Sequence, residues 1–483
     1  MDPERFEYFE RLFHPKTIAI IGVNEGSVFY LLGPVTTGFK GRVYAVNPNR
    51  DRILNFKCYA SVLDIKDDID FATVTVPAKY TPNVMRECVE KGVKTVHFFT
   101  SGFSETGTEE GRKLEQELLR IARKGNTRII GPNCMGVYCP ESGMSFLPGF
   151  PRQSGPVAFV AQSGALTEQV VYHGRMRGVR FSKVVSYGNA VDLDNPDFVE
   201  YLAEDPKTKI IATYIEGSRR GRRLFEALRE AVRNKPVIVW KGGQTERGAV
   251  AVSSHTGSLA GSGNVWKAAM RQIGAISIRD VEELIDTFLV FLKNPPPKGR
   301  RGLIVSFSGG ESVTETDKAV EMGLEIPLLP RETQRKIEEM VPVAGISTRN
   351  PLDIPSAFFR FANIADVVKL AAAEENIDFV IFEMLDRFRS IAKRNRNPQW
   401  YFNLRKTIRQ AADYIKNELG KPFVMALLPA FSEREATFLR RFYDARGVSV
   451  VPTMTRAAKA IKRMIEYYEF LRKQEISEEK RNP

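Results

Sequence analysis

Val157-Ala-Phe-Val-Ala-Gln-Ser-Gly164 reads as a buried strand that turns directly into a helix. An apolar run ends in two polar residues and a glycine, and helix-forming sequence continues from Ala165. The same grammar repeats along the chain. Short β-branched runs alternate with longer helical segments, the signature of parallel α/β domains. The first block holds Thr17-Ile-Ala-Ile-Ile-Gly22, Val43-Tyr-Ala-Val-Asn47, Phe71-Ala-Thr-Val-Thr-Val76, Thr95-Val-His-Phe-Phe-Thr100 and Arg128-Ile-Ile-Gly131. The second continues from Val157 with Lys183-Val-Val-Ser186, Ile210-Ile-Ala-Thr-Tyr-Ile215 and Val237-Ile-Val-Trp240. The third has Gly302-Leu-Ile-Val-Ser306, Phe379-Val-Ile-Phe-Glu383, Phe423-Val-Met-Ala426 and Val448-Ser-Val-Val451. Leu147-Pro-Gly-Phe-Pro-Arg-Gln-Ser-Gly-Pro156 and Asn294-Pro-Pro-Pro-Lys-Gly299 separate the blocks, because consecutive prolines stop a helix and stiffen a link. Three domains are expected, at 1–148, 149–295 and 296–483, with a charged, frayed tail from Ser477.

Composition narrows the class. The chain has 483 residues, 43% hydrophobic and 27% charged, ordinary proportions for a globular protein. It has no apolar run of about 18 residues, so no membrane span is expected. Its charged N-terminus lacks the apolar core of a signal peptide, which makes the cytoplasm the default location. Cys58, Cys88, Cys134 and Cys139 form no Cys-x-x-Cys pair and have no histidine nearby in sequence, so no metal site is expected and packed, reduced thiols are. The net charge of +13 suggests anionic partners without choosing among them. Its densest source, Arg387 to Arg409, contains no acidic residue and carries Trp400, Tyr401 and Phe402. Such a stretch reads first as a solvated helix face or a contact for an acidic protein surface, and nucleic acid is not expected.

In an open parallel sheet, ligands gather at the carboxyl ends of the strands. Three polar elements of the second block fall there. Gln162, Ser163 and Gly164 open a helix, whose N-terminal amides and dipole suit a phosphate dianion. Glu216-Gly217 follows the third strand, and the histidine segment follows the fourth, after Lys241-Gly-Gly243. That segment, Ser253-Ser-His-Thr-Gly-Ser-Leu-Ala-Gly261, is read as a loop with one histidine among small residues. Neutral imidazole is a nucleophile near pH 7 and can accept a phosphoryl group. Ser254, Thr256 and Gly257 leave that group room and offer it hydrogen bonds. Glu216 would hold one nitrogen of His255 as a donor and free the other to attack. On the bland reading, Ser163 is only an N-cap and Glu216 a surface residue.

In the first block, Gly22-Val-Asn24-Glu-Gly26 is a shortened dinucleotide-type turn without the full Gly-x-Gly-x-x-Gly spacing. Asn47-Pro48 and Val76-Pro77 add polar backbone at the same edge. The second strand ends without the acidic residue that binds an NAD ribose, which argues against a dehydrogenase.

Taken together, these motifs resemble those of the α-type subunits of NDP-forming acyl-CoA synthetases. The chain is similar to the archaeal ADP-forming acetyl-CoA synthetases and is related to the succinyl-CoA synthetase α subunit. The resemblance runs from about His14 to Leu471. It rests on Val46-Asn-Pro48, Gly102-Phe-Ser-Glu105, Gly131-Pro-Asn-Cys-Met-Gly136, Gln162-Ser-Gly164, Tyr214-Ile-Glu-Gly217 and Ser254-His-Thr-Gly-Ser258. Gly309-Gly310, Asn350-Pro-Leu-Asp353 and the ending Val451-Pro452 … Arg456-Ala-Ala-Lys-Ala460 also fit.

The resemblance implies a Rossmann-like CoA-binding domain followed by two flavodoxin-like domains of the succinyl-CoA-synthetase kind. It implies CoA along Gly22, Asn24, Gly26, Asn47, Pro48, Val76, Pro77 and Asn133, with an acyl phosphate forming near Asn133 and Cys134. His255 would take the phosphoryl group, oriented by Glu216 and cradled by Gln162, Ser163 and Gly164. ADP, with Mg²⁺, would collect it on a separate ATP-grasp β subunit in a heteromer such as α2β2. The substrate would be a small organic acid or its acyl-CoA. Two features depart from the family: the turn after Gly22 is shorter, and Asn49-Arg50 stands where a lysine is common. A non-catalytic acyl-CoA sensor on the same fold is the alternative.

Overall fold

The computed structural model describes residues 1–256, 262–341, 346–354 and 364–479. The chain divides into two units, Met1–Asp280 and Val281–Pro483.

The N-terminal unit holds two sheets. The first comprises β1 (Thr17–Ile21), β2 (Arg42–Val46), β3 (Arg52–Ile53), β4 (Phe56–Tyr59), β5 (Phe71–Val74), β6 (Thr95–Phe98) and β7 (Arg128–Ile130), in the order β3-β4-β2-β1-β5-β6-β7. Its strands run parallel except for the β3–β4 pair. The second comprises β8 (Gly136–Tyr138), β9 (Val157–Ala161), β10 (Phe181–Ser186), β11 (Ile210–Ile215), β12 (Val237–Lys241) and β13 (Ile276–Ile278), in the order β13-β12-β11-β9-β10-β8. Only β8 runs antiparallel. Every residue of β1 and β9 is buried, because helices cover both faces of a parallel sheet.

The first helix, Pro3–Phe13, ties the two sheets together. Phe9 and Phe13 stack on Tyr201 at 5.1 and 5.4 Å, and Arg5 bonds Asp197 at 2.6 Å. Arg128, on β7, adds a bidentate pair with Asp192. Beneath them Lys183 meets Asp205 at 2.7 Å, both side chains 1% exposed.

The C-terminal unit is one parallel sheet of β14 (Gly302–Ser306), β15 (Leu352–Asp353), β16 (Phe379–Leu385), β17 (Phe423–Leu428) and β18 (Ser449–Val451), in the order β15-β14-β16-β17-β18. The helix Val281–Lys293, which precedes the triple proline, packs in this unit. Lys293 bonds Asp444 at 2.7 Å, and Arg456 of the long helix Met454–Glu479 pairs with Asp286. That helix runs through Ser477, where a frayed tail was expected; the residues after 479 lie outside the described ones.

The basic stretch folds as two helices, Phe388–Arg394 and Pro398–Asn417. Tyr401, Leu404 and Ile408 turn inward, and the Tyr401 hydroxyl bonds Glu435. The Arg405 guanidinium sits among Tyr401, Phe402, Phe438 and Phe442 at 4.7–6.0 Å. Much of this stretch is therefore a packed helical face.

The principal strands follow the sequence reading. The additions are short: β3, β4, β8, β13 and β15 have two to four residues each. None makes an apolar run long enough to stand out, and apart from the β3–β4 hairpin they pair with strands distant in sequence. All four cysteines are free and buried. The fold does bring His14 to 4.0 Å from Cys139, a pairing that sequence spacing hides. Among the described residues no helix is long and apolar enough to cross a membrane.

Candidate active site

Topology sets β9 between β10 and β11, with β12 beyond β11. The carboxyl ends of β9, β11 and β12 therefore lie side by side, and each carries a polar residue. Gln162, at the end of β9, is 6% exposed. Its Oε1 accepts the backbone N–H of Glu216 and, at 3.0 Å, that of Gly217. The side chain thus fixes the strand end from which Glu216 projects.

Ser163 is the N-cap of the helix Gly164–Met176, its Oγ accepting from Leu166 N at 3.3 Å. The first-turn amides of Gly164 and Ala165 have no acceptor within the helix and face outward from its positive end. Gly164 has a steric reason to be glycine, since a Cβ there would lie 2.7 Å from Met135 Cγ. The loop Gly131–Gly136 therefore packs onto the helix N-terminus.

Glu216 is 4% exposed, not the surface residue of the bland reading. Its Oε1 accepts from the Tyr214 hydroxyl at 3.2 Å, while Oε2 is buried with no hydrogen-bond partner among the described residues. An unpaired buried acceptor is costly, so this oxygen is suited to a donor that arrives with chemistry. Burial, and then the charge of Glu216, push the Tyr214 phenol up. Lys241, at the end of β12, donates to Glu216 O at 2.8 Å and to Gly242 O. Burial pulls this ammonium down and Glu216 opposes the shift. Tyr214 and Lys241 enter the sequence reading only within Tyr214–Gly217 and Lys241–Gly243, with no role assigned; both lie on strands within two residues of the polar edge.

Ser253 to Thr256, read as loop, form the end of the helix Glu246–Thr256. Ser254, His255 and Thr256 are thus on a helical backbone that follows β12, and Gly257 lies outside the described residues. The small residues before the glycine do not break the helix, since Ala249, Val250, Ala251 and Val252 carry it forward.

Asn133 takes φ +60° and donates its amide to Thr100 O at 3.0 Å. Cys134 beside it is 4% exposed, and burial pushes its thiol up, which suits a packing role. Across the loop, Asn189 N bonds Pro132 O at 3.0 Å. Its Nδ2 reaches Glu105 Oε2 at 2.5 Å and Glu115 Oε2 at 3.2 Å, while Oδ1 is buried with no partner among the described residues. Asn189 escaped the sequence reading, although Glu105 belongs to a motif already noted.

At the first sheet, the turn after β1 is self-contained. Gly22 has φ +81°, and a Cβ there would clash with Val76, so β1 and β5 approach closely. Asn24 Oδ1 accepts Gly26 N at 2.8 Å, and Ser27 Oγ accepts Asn24 N at 3.0 Å. Asn47 Nδ2 donates to Val23 O at 2.8 Å. Gly22, Asn24, Gly26, Asn47 and Val76 thus meet at one edge, with Pro48 and Pro77 next in chain. Two of the turn's amides are already used internally, and Glu25 is exposed there. Arg50 after β2 lies 3.9 Å from Glu25, and Lys79 follows β5. The strands that precede these cations, β2 and β5, flank β1 on both sides, which suits an anionic ligand at that edge.

In the C-terminal unit, the helix Gly309–Glu321 begins where β14 ends. Glu383 accepts from Ser306 Oγ and Phe307 N, both at 2.7 Å. Burial and Glu383 push the nearby Glu311 carboxyl up to about 7. Asn350 binds Gly302 O and Pro327 O and is structural.

A CoA-type fold followed by a ligase-type flavodoxin fold defines an acyl-CoA ligase class of chain. Residues 16–140 match the family described as CoA binding domain, and residues 154–291 the succinyl-CoA ligase like flavodoxin domain. The acetate–CoA ligase [ADP-forming] I of Archaeoglobus fulgidus is 41% identical over 379 residues, 77% of this chain and 54% of that protein. This chain thus spans about half of that relative. The acetate–CoA ligase [ADP-forming] II subunit alpha of Pyrococcus furiosus is 37% identical over 385 residues, 78% of this chain and 81% of the subunit. The dinucleotide forming acetyl-coenzyme A synthetase 1 of Ca. Korarchaeum cryptofilum, solved with phosphate and ADP, superposes with a TM-score of 0.81 at 30% identity, over 96% of this chain and 98% of that one. The chain belongs to the family of ADP-forming acetate–CoA ligases, alongside their α subunits.

Proposed function

We propose that this chain is the α-type component of an ADP-forming acyl-CoA synthetase, catalysing acyl-CoA + phosphate + ADP = organic acid + CoA + ATP. The observation that carries the reading is the buried Glu216 carboxylate, with one oxygen lacking a donor among the described residues, one strand from the segment bearing His255.

A phosphate oxygen attacks the thioester carbonyl at the Gly131–Gly136 loop, the C–S bond breaks, and CoA leaves as thiol. His255 then attacks the phosphorus of the acyl phosphate, and the organic acid departs. Glu216 accepts a hydrogen bond from one imidazole nitrogen and stabilises the charge that develops on the ring. Gly164, Ala165, Ser254, Thr256 and Gly257 hold the phosphoryl oxygens, and Gln162 holds Glu216 in place. His255 finally passes the group to ADP; Mg²⁺ there would neutralise the transferring charge.

Residues 1–148 are assigned to CoA, with Gly22, Asn24, Gly26, Asn47, Pro48, Val76, Pro77 and Asn133 along it. Arg50 and Lys79 supply the charge that the turn amides do not. Residues 149–295 carry the phosphohistidine and 296–483 a second ligase-like domain. The nucleotide site belongs to an ATP-grasp β partner, in an α2β2-type assembly in the cytoplasm. The relatives named as α subunits support a partner chain. The self-bonded turn after Gly22 favours one second reading, a sensor that binds acyl-CoA without turning it over.

The test is turnover by the chain co-expressed with its partner, over a panel of acyl-CoAs with ADP, phosphate and Mg²⁺. ATP formation with at least one acyl-CoA is expected. Saturable acyl-CoA binding with no ATP from any of them would establish the sensor instead.

A further inference from the structure

We infer that His97, on β6, is a positioning residue for the thioester end of the site, holding the Gly131–Gly136 loop through the carbonyl of Cys134. The inference rests on the reading of that loop given above. His97 is 1% exposed, and its Nε2 lies 2.9 Å from Cys134 O. A carbonyl only accepts, so Nε2 carries the proton. The imidazole is neutral, because burial holds it down to about 4. Nδ1 is therefore the acceptor, facing Thr73 Oγ1 on β5 at 3.3 Å. One donor and one acceptor are both used, and the ring bridges the central sheet to the loop.

The ring also fixes the end of the loop. A Cβ at Gly136 would lie 2.8–3.0 Å from its atoms, so only glycine permits the approach. The next carbonyl, Met135 O, accepts from the Tyr30 hydroxyl at 3.1 Å, and Met135 N donates to Ser186 Oγ at 3.2 Å. A cavity of about 20 Å³, lined by His97, Thr73, Tyr30 and Met135 among others, lies under the loop. Hydrogen bonds to Cys134 O, Met135 O and Met135 N thus help to set the loop's height above the sheet. Asn133, whose φ of +60° depends on this course, moves if they are lost.

The experiment separates the two ends of the site by phosphorylating His255 from either side. With its partner present, the protein receives labelled ATP and Mg²⁺, or labelled phosphate and acetyl-CoA. His97→Phe keeps the ring volume and removes both hydrogen bonds. It is expected to slow labelling from acetyl-CoA and phosphate by about 10- to 100-fold, the cost of a small misplacement of reacting groups. Labelling from ATP should stay within twofold. His97→Gln, with one amide donor and one acceptor, should restore most of the lost rate. Tyr30→Phe should give a smaller loss of the same selectivity. Equal loss from both sources, or no loss from either, in His97→Phe overturns the positioning role, as does a Gln variant no better than Phe. If the unaltered protein takes label from neither source, the functional reading falls and the role falls with it.

Discussion

Replacing Glu216 by glutamine probes the site with little disturbance of the fold. Gln162 and Lys241 bind the backbone N–H and carbonyl of residue 216, so both contacts survive the change. The Tyr214 hydroxyl can still donate to the amide oxygen. What is lost is the charge, and the acceptor at the position of Oε2 becomes an NH₂. A hydrogen bond to a charged group contributes about 1.5–3 kcal/mol, and 1.4 kcal/mol is about tenfold in rate. Phosphorylation of His255 should therefore slow by about 10- to 100-fold. Rapid-quench labelling with ATP, Mg²⁺ and the partner measures that rate, and calorimetry should find CoA affinity within about twofold of the parent. The unfolding midpoint should change little, since one buried polar group without a partner among the described residues is exchanged for another of the same shape. An unaltered labelling rate would refute the assignment of Glu216; equal losses of labelling and stability would make its role structural.

Gly164→Ala should lose about 1–3 kcal/mol by overpacking against Met135, and Met135→Ala in the same chain should recover most of it in denaturant titrations. Lys183→Met strands Asp205 in the interior and should cost about 3–5 kcal/mol, whereas Lys183→Met with Asp205→Leu should unfold at nearly the parental denaturant concentration. Glu311 titrates near 7 when folded and near its ordinary value of 4.5 when unfolded, so the folded state holds the extra proton between those values. Its stability contribution is present below pH 4.5 and is lost as pH rises towards 7. Glu311→Gln should flatten that decline in melting scans at pH 4.5 and 8.

The sequence carried the strand-and-helix alternation because parallel strands buried on both faces are written as local apolar runs, as in Ile18 to Ile21 and Val157 to Ala161. It did not carry β8 or β13, which pair with segments far along the chain and hold three residues each. Gln162, Ser163 and Glu216 were legible because each follows such a run, and sheet order brings them to one edge. The roles of Tyr214 and Lys241, and Asn189 altogether, were not, since their contacts to Glu216 and Glu105 exist only once strands and loops are assembled. The helical end at Ser253 to Thr256 was hidden for a different reason. Small polar residues before a glycine read as a loop, yet a helix started at Glu246 propagates through them at little further cost. His97 looked like one more apolar-strand residue, and its role depends on a carbonyl that lies 37 positions away.

The phosphoryl group must rest on His255 for the proposed transfer to run. The complex with the partner chain would be incubated with acetyl-CoA, labelled phosphate and Mg²⁺, quenched, and its peptides mapped. Acid-labile, base-stable label is expected on His255 and none in His255→Ala, with that variant unfolding like the parent. Label on any other residue, or full turnover by His255→Ala, would contradict it.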